Sequence, residues 1–159
     1  MTNQARSIWS KTVEMEARPP LAGDIQTEVA IIGAGLCGVL CGRFLAEAGK
    51  KVVLLEAERI ANGQTKHTTA KITSQHHLIY DKLLQSLGKE KAAQYAAANQ
   101  AAIGQYRRLA GQWGIDCDLV DVPAYLYSEH ESEPLERELA AALALGIPAD
   151  MPRETSLPF

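Results

Sequence analysis

Residues 29–38 read Val29-Ala30-Ile31-Ile32-Gly33-Ala34-Gly35-Leu36-Cys37-Gly38, an apolar run that ends in the glycine pattern G-x-G-x-x-G. A second apolar run, Lys51-Val52-Val53-Leu54-Leu55-Glu56, stops on an acid 18 residues after the last glycine. Between the two runs, residues 36–48 are expected to form a helix that Gly49 caps. Strand, glycine turn, helix, strand and acid in this order predict a βαβ unit that binds the ADP half of a dinucleotide.

Each glycine of the pattern has a predicted role. Gly33 permits the tight turn, Gly35 leaves room for a pyrophosphate, and Gly38 lets the helix lie close to the strands. The pyrophosphate is expected over the free N–H groups at the positive end of the helix. The other reading of the pattern is a glycine-rich turn that packs without a ligand.

The acid at the end of the second strand selects among nucleotides. Glu56 is predicted to accept hydrogen bonds from both ribose hydroxyls, and its charge would repel a 2′-phosphate, which disfavours NADP. Gly42 extends the glycine spacing by one more helical turn, a pattern commoner in FAD proteins than in NAD proteins. The first residues of the helix and the residue after the acid complete the predicted nucleotide contacts: Leu36, Cys37 and Ala57.

The composition narrows the function classes. A net charge of −3 and a pI near 5.8 over 159 residues give no reason to expect nucleic acid as a partner. Neither a transmembrane segment nor the apolar centre of a signal peptide is recognisable, so the expected compartment is the cytoplasm. Cys37 and Cys41 are predicted to be small, buried, inert thiols rather than a redox pair. No Cys or His spacing indicates a metal site.

The remaining sequence divides into an irregular lead-in (residues 1–24), which can pack through Ile8 and Trp9, a nucleotide-binding unit (25–75) and a helical region (76–159). Residues 57–74 are rich in hydroxyl side chains and are interpreted as a functional loop at the carboxyl edge of the sheet, or alternatively as a solvated connector. Helices are expected over 76–87 and 89–112, separated by Gly88, and over 134–145. Residues 117–120 and 125–127 are predicted to form a strand pair.

Only two parallel strands are recognisable, fewer than such a sheet needs to bury both faces. The chain is therefore expected to be the N-terminal part of a larger protein, or a truncated one. The predicted fold class is α/β: an incomplete Rossmann-like domain with a helical insertion and a short β segment of a substrate domain.

The glycine loop, Glu56 and the stretch Gly63-Gln64-Thr65-Lys66-His67-Thr68-Thr69-Ala70-Lys71-Ile72-Thr73 together resemble the FAD-dependent oxidoreductases of the D-amino-acid oxidase type. The similarity runs from about Ile25 onwards and is strongest to the branch that carries a Rieske iron–sulfur domain after the flavin domain. It implies FAD as cofactor, with a [2Fe-2S] centre only in a full-length protein and not in this chain.

The resemblance also implies roles and chemistry. Gly63, Thr65, Thr68 and Thr69 would lie along the flavin from pyrophosphate to ring, and Lys71 is a weaker candidate for a positive charge beside it. Members oxidise an amine or amino acid, a small-molecule substrate, by hydride transfer to flavin N5. Their substrate-anchoring groups lie in sequence beyond this chain, so no catalytic residue is assigned. The alternatives are an NAD-dependent dehydrogenase domain and a non-catalytic remnant.

Overall fold

The computed structural model describes residues 7, 9–13 and 16–152. The chain forms two compact units, residues 1–71 and residues 72–159. The elements of the first unit are helix α1 (Trp9–Thr12), strand β1 (Val29–Ile32), helix α2 (Leu36–Glu47), strand β2 (Val52–Leu55) and a 3₁₀ turn (Gln64–His67). The second unit contains helices α3 (Tyr80–Gln112) and α4 (Glu133–Ala144).

Strands β1 and β2 pair in parallel, and α2 crosses between them, so the predicted βαβ unit is present. The register pairs Val29 with Val52 and Ile32 with Leu55. These β-branched and leucine runs suit a pleated surface that is covered on one face. The amide of Gly33 continues the ladder by donating to the carbonyl of Leu55 at 2.7 Å. The glycine turn therefore begins directly at the end of the sheet.

Helix α2 ends where the sequence predicts it, and close backbone packing holds it against β1. Gly49 follows the helix with a φ of +79°, the left-handed conformation in which glycine carries no penalty. At Gly38 an added Cβ would lie 1.9 Å from the carbonyl oxygen of Gly33. The helix can pass over the glycine turn only because Gly38 has no side chain.

The second unit is held together by α3 packing on α4. Its buried cluster contains Tyr80, Ala96, Ala141, Ala142 and Ile147. Gly88 interrupts α3 with non-helical angles (φ +77°, ψ +168°), which confirms the predicted separation of two helical stretches. One face of the longer stretch is buried or half-buried in the structure, including Ala92, Asn99, Ile103 and Tyr106.

Glu138, a buried residue of α4, caps the start of α3. Its carboxylate accepts hydrogen bonds from the backbone amides of Tyr80 (3.0 Å) and Asp81 (2.9 Å) and from Gln75 Nε2 (2.6 Å). The first amides of a helix have no partner within the helix, and Ile79 before them provides no side-chain cap. A carboxylate from a distant part of the unit fills that role.

Three predictions about local structure are wrong. The start of the first long helix is Tyr80 and not residue 76, because His77 has a φ of +56°, which no α-helix accommodates. Residues 117–120 and 125–127 form no strand pair; they are exposed, and no backbone ladder joins them. The lead-in is not wholly irregular, since it contains α1.

Two further predictions concern individual side chains. Cys37 and Cys41 are exposed, not buried, because no described residue covers that side of α2. Trp9 is 39% exposed, and its indole N–H donates a hydrogen bond to the carbonyl of Thr68 at 2.8 Å. The expected packing of Ile8 lies outside the described residues.

Candidate functional site

The glycine turn and the first turn of α2 form a cup of backbone amides. Gly33 has a φ of +98°, a conformation that a residue with a Cβ rarely adopts, so it sets the direction of the turn. The amides of Gly35, Cys37 and Gly38 donate to no acceptor among the described residues. Such free amides at a helix N-terminus attract anionic oxygens.

Gly35 is not required by the fold itself. Its backbone is extended (φ −73°, ψ −179°), which any residue adopts, and a Cβ there would meet only the hydroxyl oxygen of Thr65, at 3.5 Å. This distance is an ordinary van der Waals contact. Packing within the chain therefore does not explain why this position is glycine.

Glu56 follows β2 and is held at the glycine turn by two backbone amides. Its Oε2 accepts from the amide of Ala34 at 2.8 Å, and its Oε1 accepts from the amide of Glu58 at 3.1 Å. These hydrogen bonds, that of Ala34 foremost, lower the pKa of the Glu56 carboxyl below its ordinary value. The carboxylate is exposed, and each oxygen keeps lone-pair capacity for a ribose hydroxyl.

The hydroxyl-rich loop meets the glycine turn through Thr65. Its Oγ1 accepts a hydrogen bond from the amide of Leu36, the first residue of α2, at 3.0 Å. The structure thus brings together the two sequence motifs of this unit. A phosphate oxygen at the same helix end would compete with this hydroxyl for the Leu36 donor.

Among the described residues, the other predicted contacts in this loop form no hydrogen bond to the glycine turn. Thr68 bonds within its own loop, its hydroxyl lying 3.4 Å from the carbonyl oxygen of Thr65. Gly63 precedes the 3₁₀ turn, and a Cβ there would meet nothing within 4 Å. Ala57, Thr69 and Lys71 are exposed, with no side-chain contact that ties them to the amide cup.

Sequence reasoning missed Ala34, the residue between the first two glycines. It is fully buried, its amide donates to Glu56, and its carbonyl accepts from the amide of Ala61 at 2.9 Å. Both contacts use backbone groups, so no side-chain pattern could have revealed them. The result is a three-way junction of the glycine turn, the end of β2 and the following loop.

The lead-in is a second feature that the sequence did not place at the site. Besides the Trp9 contact to Thr68, the hydroxyl of Ser7 donates to the carbonyl of Lys66. Lys66 in turn donates through Nζ to Asn62 Oδ1 at 2.6 Å. Side chains of the lead-in therefore hold the hydroxyl-rich loop through the backbone carbonyls of Lys66 and Thr68.

Two kinds of site have no counterpart in the part of the chain that the structure describes. No three His, Cys, Asp or Glu side chains converge as a metal-binding group there. None of the described helices has the length and apolar character needed to cross a bilayer.

Comparison with known proteins places this site in a family. Residues 28–156 match the model of the FAD dependent oxidoreductase family, DAO. YhfW of Bacillus subtilis, whose name describes a Rieske 2Fe-2S iron-sulfur protein, is 36% identical over 155 residues, covering 96% of this chain and 30% of YhfW. No solved structure matches at a significant level.

Two other relatives match shorter stretches. OrdL of Haemophilus influenzae, an oxidoreductase by name, is 28% identical over 100 residues, covering 63% of this chain and 23% of OrdL. The mitochondrial dimethylglycine dehydrogenase of Homo sapiens is 41% identical over 76 residues, covering 45% of this chain and 8% of the enzyme. The chain thus spans less than a third of the length of these curated relatives. Because the family model covers most of its length, the chain belongs to the DAO family of FAD dependent oxidoreductases.

Proposed function

We propose that residues 28–71 bind the ADP part of FAD in an oxidoreductase that oxidises an amine or amino acid at the carbon next to nitrogen. The observation that carries the proposal is the geometry at the start of α2, where free backbone amides lie beside the fixed carboxylate of Glu56. FAD, once bound, supplies the acceptor for a hydride. The residues of this chain would bind and orient it.

The structure fits the two ends of the ADP group. The unpartnered amides of Cys37 and Gly38 suit pyrophosphate oxygens, and Glu56 retains acceptor sites for the ribose hydroxyls. The negative charge of Glu56 disfavours a nucleotide with a 2′-phosphate. Gly63, Thr65, Thr68 and Thr69 remain the proposed contacts toward the flavin, supported by the hydrogen bond between Thr65 and Leu36.

The substrate class rests on the relatives and not on a pocket of this chain. The human relative is by its name a dehydrogenase of dimethylglycine, a substrate with a carbon–nitrogen bond to oxidise. YhfW suggests that an iron–sulfur centre could receive the electrons in a longer protein. We assign no catalytic residue to this chain, and its cytoplasmic location stays a sequence-based prediction.

The test is the visible spectrum of the purified 159-residue chain after incubation with FAD and removal of free FAD. We expect flavin absorption to remain with the wild-type chain. Glu56→Gln should weaken FAD binding by tenfold or more, which corresponds to about 1.4 kcal/mol or more. Glu58→Gln is the matched control, since it changes a neighbouring carboxylate while leaving the backbone amide that holds Glu56.

The alternatives give different results in the same titration. Preferential retention of NAD would indicate the dehydrogenase domain. A folded chain, by circular dichroism, that binds neither nucleotide would support a non-catalytic remnant. Equal FAD binding by wild type and Glu56→Gln would contradict the role given to Glu56.

A further inference from the structure

The exposed face of α2 carries two cysteines one helical turn apart. Cys37 is the second residue of the helix and Cys41 is four residues further on, and both thiols are exposed. Residues at i and i+4 of a helix lie on the same face, with Cβ atoms about 5–6 Å apart. The regular helix therefore places the two thiols side by side on the exposed face of α2.

We propose that Cys37 and Cys41 form a two-sulfur binding site for one thiophilic ion, of which monovalent copper is the best example. One soft cation binds both thiolates and so bridges one turn of the helix. Thiolate sulfur favours soft ions of this kind over hard ones such as Mg²⁺ or Ca²⁺. The inference does not depend on FAD binding.

The spacing fits a bridging ion better than a disulfide. A disulfide requires Cβ atoms about 3.5–4.5 Å apart, shorter than the i, i+4 separation in a regular helix. An ion between the sulfurs adds two metal–sulfur bonds, each about 2.3 Å long if thiolate–zinc bonds are a guide. Such a bridge spans the turn without unwinding it.

Each thiol affects the ionisation of the other. The pKa of the Cys41 thiol is raised, chiefly by the charge of the neighbouring Cys37 sulfur and next by the hydrogen bond to it. Two adjacent thiolates repel each other, and a cation placed between them removes that repulsion. On binding, both thiols lose their protons to solvent as the two sulfur–copper bonds form, with no change in oxidation state.

The third cysteine provides an internal control. Cys117 is also exposed, but it lies in the second unit outside the helices, whereas the other two cysteines lie in the first unit. Among the described residues no three potential ligands converge, so a site for an ion that demands four protein ligands is absent there.

The test is an anaerobic titration of the reduced 159-residue chain against the coloured complex of monovalent copper with bathocuproine disulfonate. The wild-type chain should remove one equivalent of copper, seen as loss of the complex's visible absorption. Cys37→Ser and Cys41→Ser should each weaken uptake at least tenfold, and Cys117→Ser should leave it unchanged. Circular dichroism checks that each variant is folded.

The helical geometry is tested by moving one thiol. In Cys41→Ser/Gly42→Cys the second sulfur sits one residue further along, about 100° around the helix, and should not restore uptake. A Cβ at position 42 would make only an ordinary contact with Ile31, so the helix accepts the change. Absence of uptake by the wild-type chain, unchanged uptake in either single variant, or full uptake in the double variant would overturn the proposal.

Discussion

Gly38 and Gly42 lie on the same helix, yet the structure gives them different constraints. The added Cβ would lie 1.9 Å from a backbone oxygen at Gly38, but 3.6 Å from the mobile end of Ile31 at Gly42. A backbone oxygen cannot move aside without moving the glycine turn with it. The first position is therefore fixed as glycine by packing, and the second is not.

Gly38→Ala is predicted to destabilise the chain by about 1–3 kcal/mol, the usual cost of overpacking. Gly42→Ala, the matched control, should be neutral or stabilise by about 0.5–1 kcal/mol, because alanine is the better helix former. Urea denaturation followed by circular dichroism measures both. Equal stability of the two variants would argue against the close approach of α2 to the glycine turn.

The lowered pKa of Glu56 predicts that the free energy of unfolding depends on pH. Its pKa is lower in the folded chain than in the unfolded one, so its ionised form stabilises the folded state above the unfolded value of about 4.3. That contribution is lost as the pH falls through the lower pKa of the folded state. Glu56→Gln should therefore be less stable than wild type at pH 7, with a difference that shrinks under acid conditions.

The measurement is the free energy of unfolding of both proteins at pH 7, 5 and 3.5. Glu129→Gln removes an exposed carboxylate with no hydrogen-bond partner among the described residues, and serves as control. Its stability should stay within about 0.5 kcal/mol of wild type. A constant difference between wild type and Glu56→Gln at every pH would exclude the proposed linkage.

At the scale of elements, the start of α3 is determined by α4. Glu138 lies 58 residues away along the chain from Tyr80, whose amide it caps. The phenol of Tyr80 bonds the carbonyl of Ser74, and burial raises its pKa. The N-terminus of α3 is thus a tertiary feature and depends on the packing of two helices.

Glu138→Gln tests this cap with little change in shape. The oxygen of the glutamine side chain can accept from one of the two backbone N–H groups. Its NH₂ group is a donor and leaves the other backbone N–H without an acceptor. We expect a loss of about 1–3 kcal/mol, the cost of leaving a buried donor unsatisfied. Glu136→Gln, an exposed change on the same helix, should cost less than about 0.5 kcal/mol. Thermal unfolding at pH 7 distinguishes the two outcomes.

Elements that depend on local sequence were predictable, and those that depend on distant contacts were not. The βαβ unit follows from two apolar runs and a glycine pattern, and the break at Gly88 follows from one residue. The start of α3 could not be located because Glu138 and the conformation of His77 decide it. The predicted strand pair of residues 117–120 and 125–127 does not form, because β-propensity alone does not create a backbone ladder.

The same division applies to the candidate site. Gly38 and Glu56 were identified from spacing, and the structure brings them to one end of the sheet. The sequence could not indicate the backbone contacts of Ala34, since almost any residue has a backbone amide and a carbonyl. The exposure of Cys37 could not be foreseen either, because it depends on what covers α2.

For the whole molecule, the balance of buried and exposed apolar groups is unusual. Five of the eight buried apolar residues among those described are alanines, and Tyr80 is the largest fully buried side chain. Large apolar side chains lie in solvent instead: Ile32 is 89% exposed, and Val120 and Val122 are more than 70% exposed. Both strands of the sheet are edge strands within the described part of the chain. Exposed apolar surface and unpaired edges favour association.

We expect the native chain to bind a hydrophobic dye such as ANS, and Val120→Lys/Val122→Lys to bind less of it. A matched variant with the same added charge at exposed polar positions, Gln26→Lys/Gln94→Lys, should bind as the wild type does. Fluorescence titration in buffer without denaturant measures all three. If the three proteins bind the same amount of dye, the accessible apolar surface does not lie at residues 120–122.

The hydrogen bond from the indole of Trp9 to the carbonyl of Thr68 gives the chain an optical reporter of its own. Indole emission depends on hydrogen bonding and on nearby quenchers, and this indole is joined to the loop proposed to run along the flavin. With Trp113→Phe removing the other indole, the remaining fluorescence comes from Trp9 alone. Movements of the hydroxyl-rich loop can then be timed in solution without attaching a label.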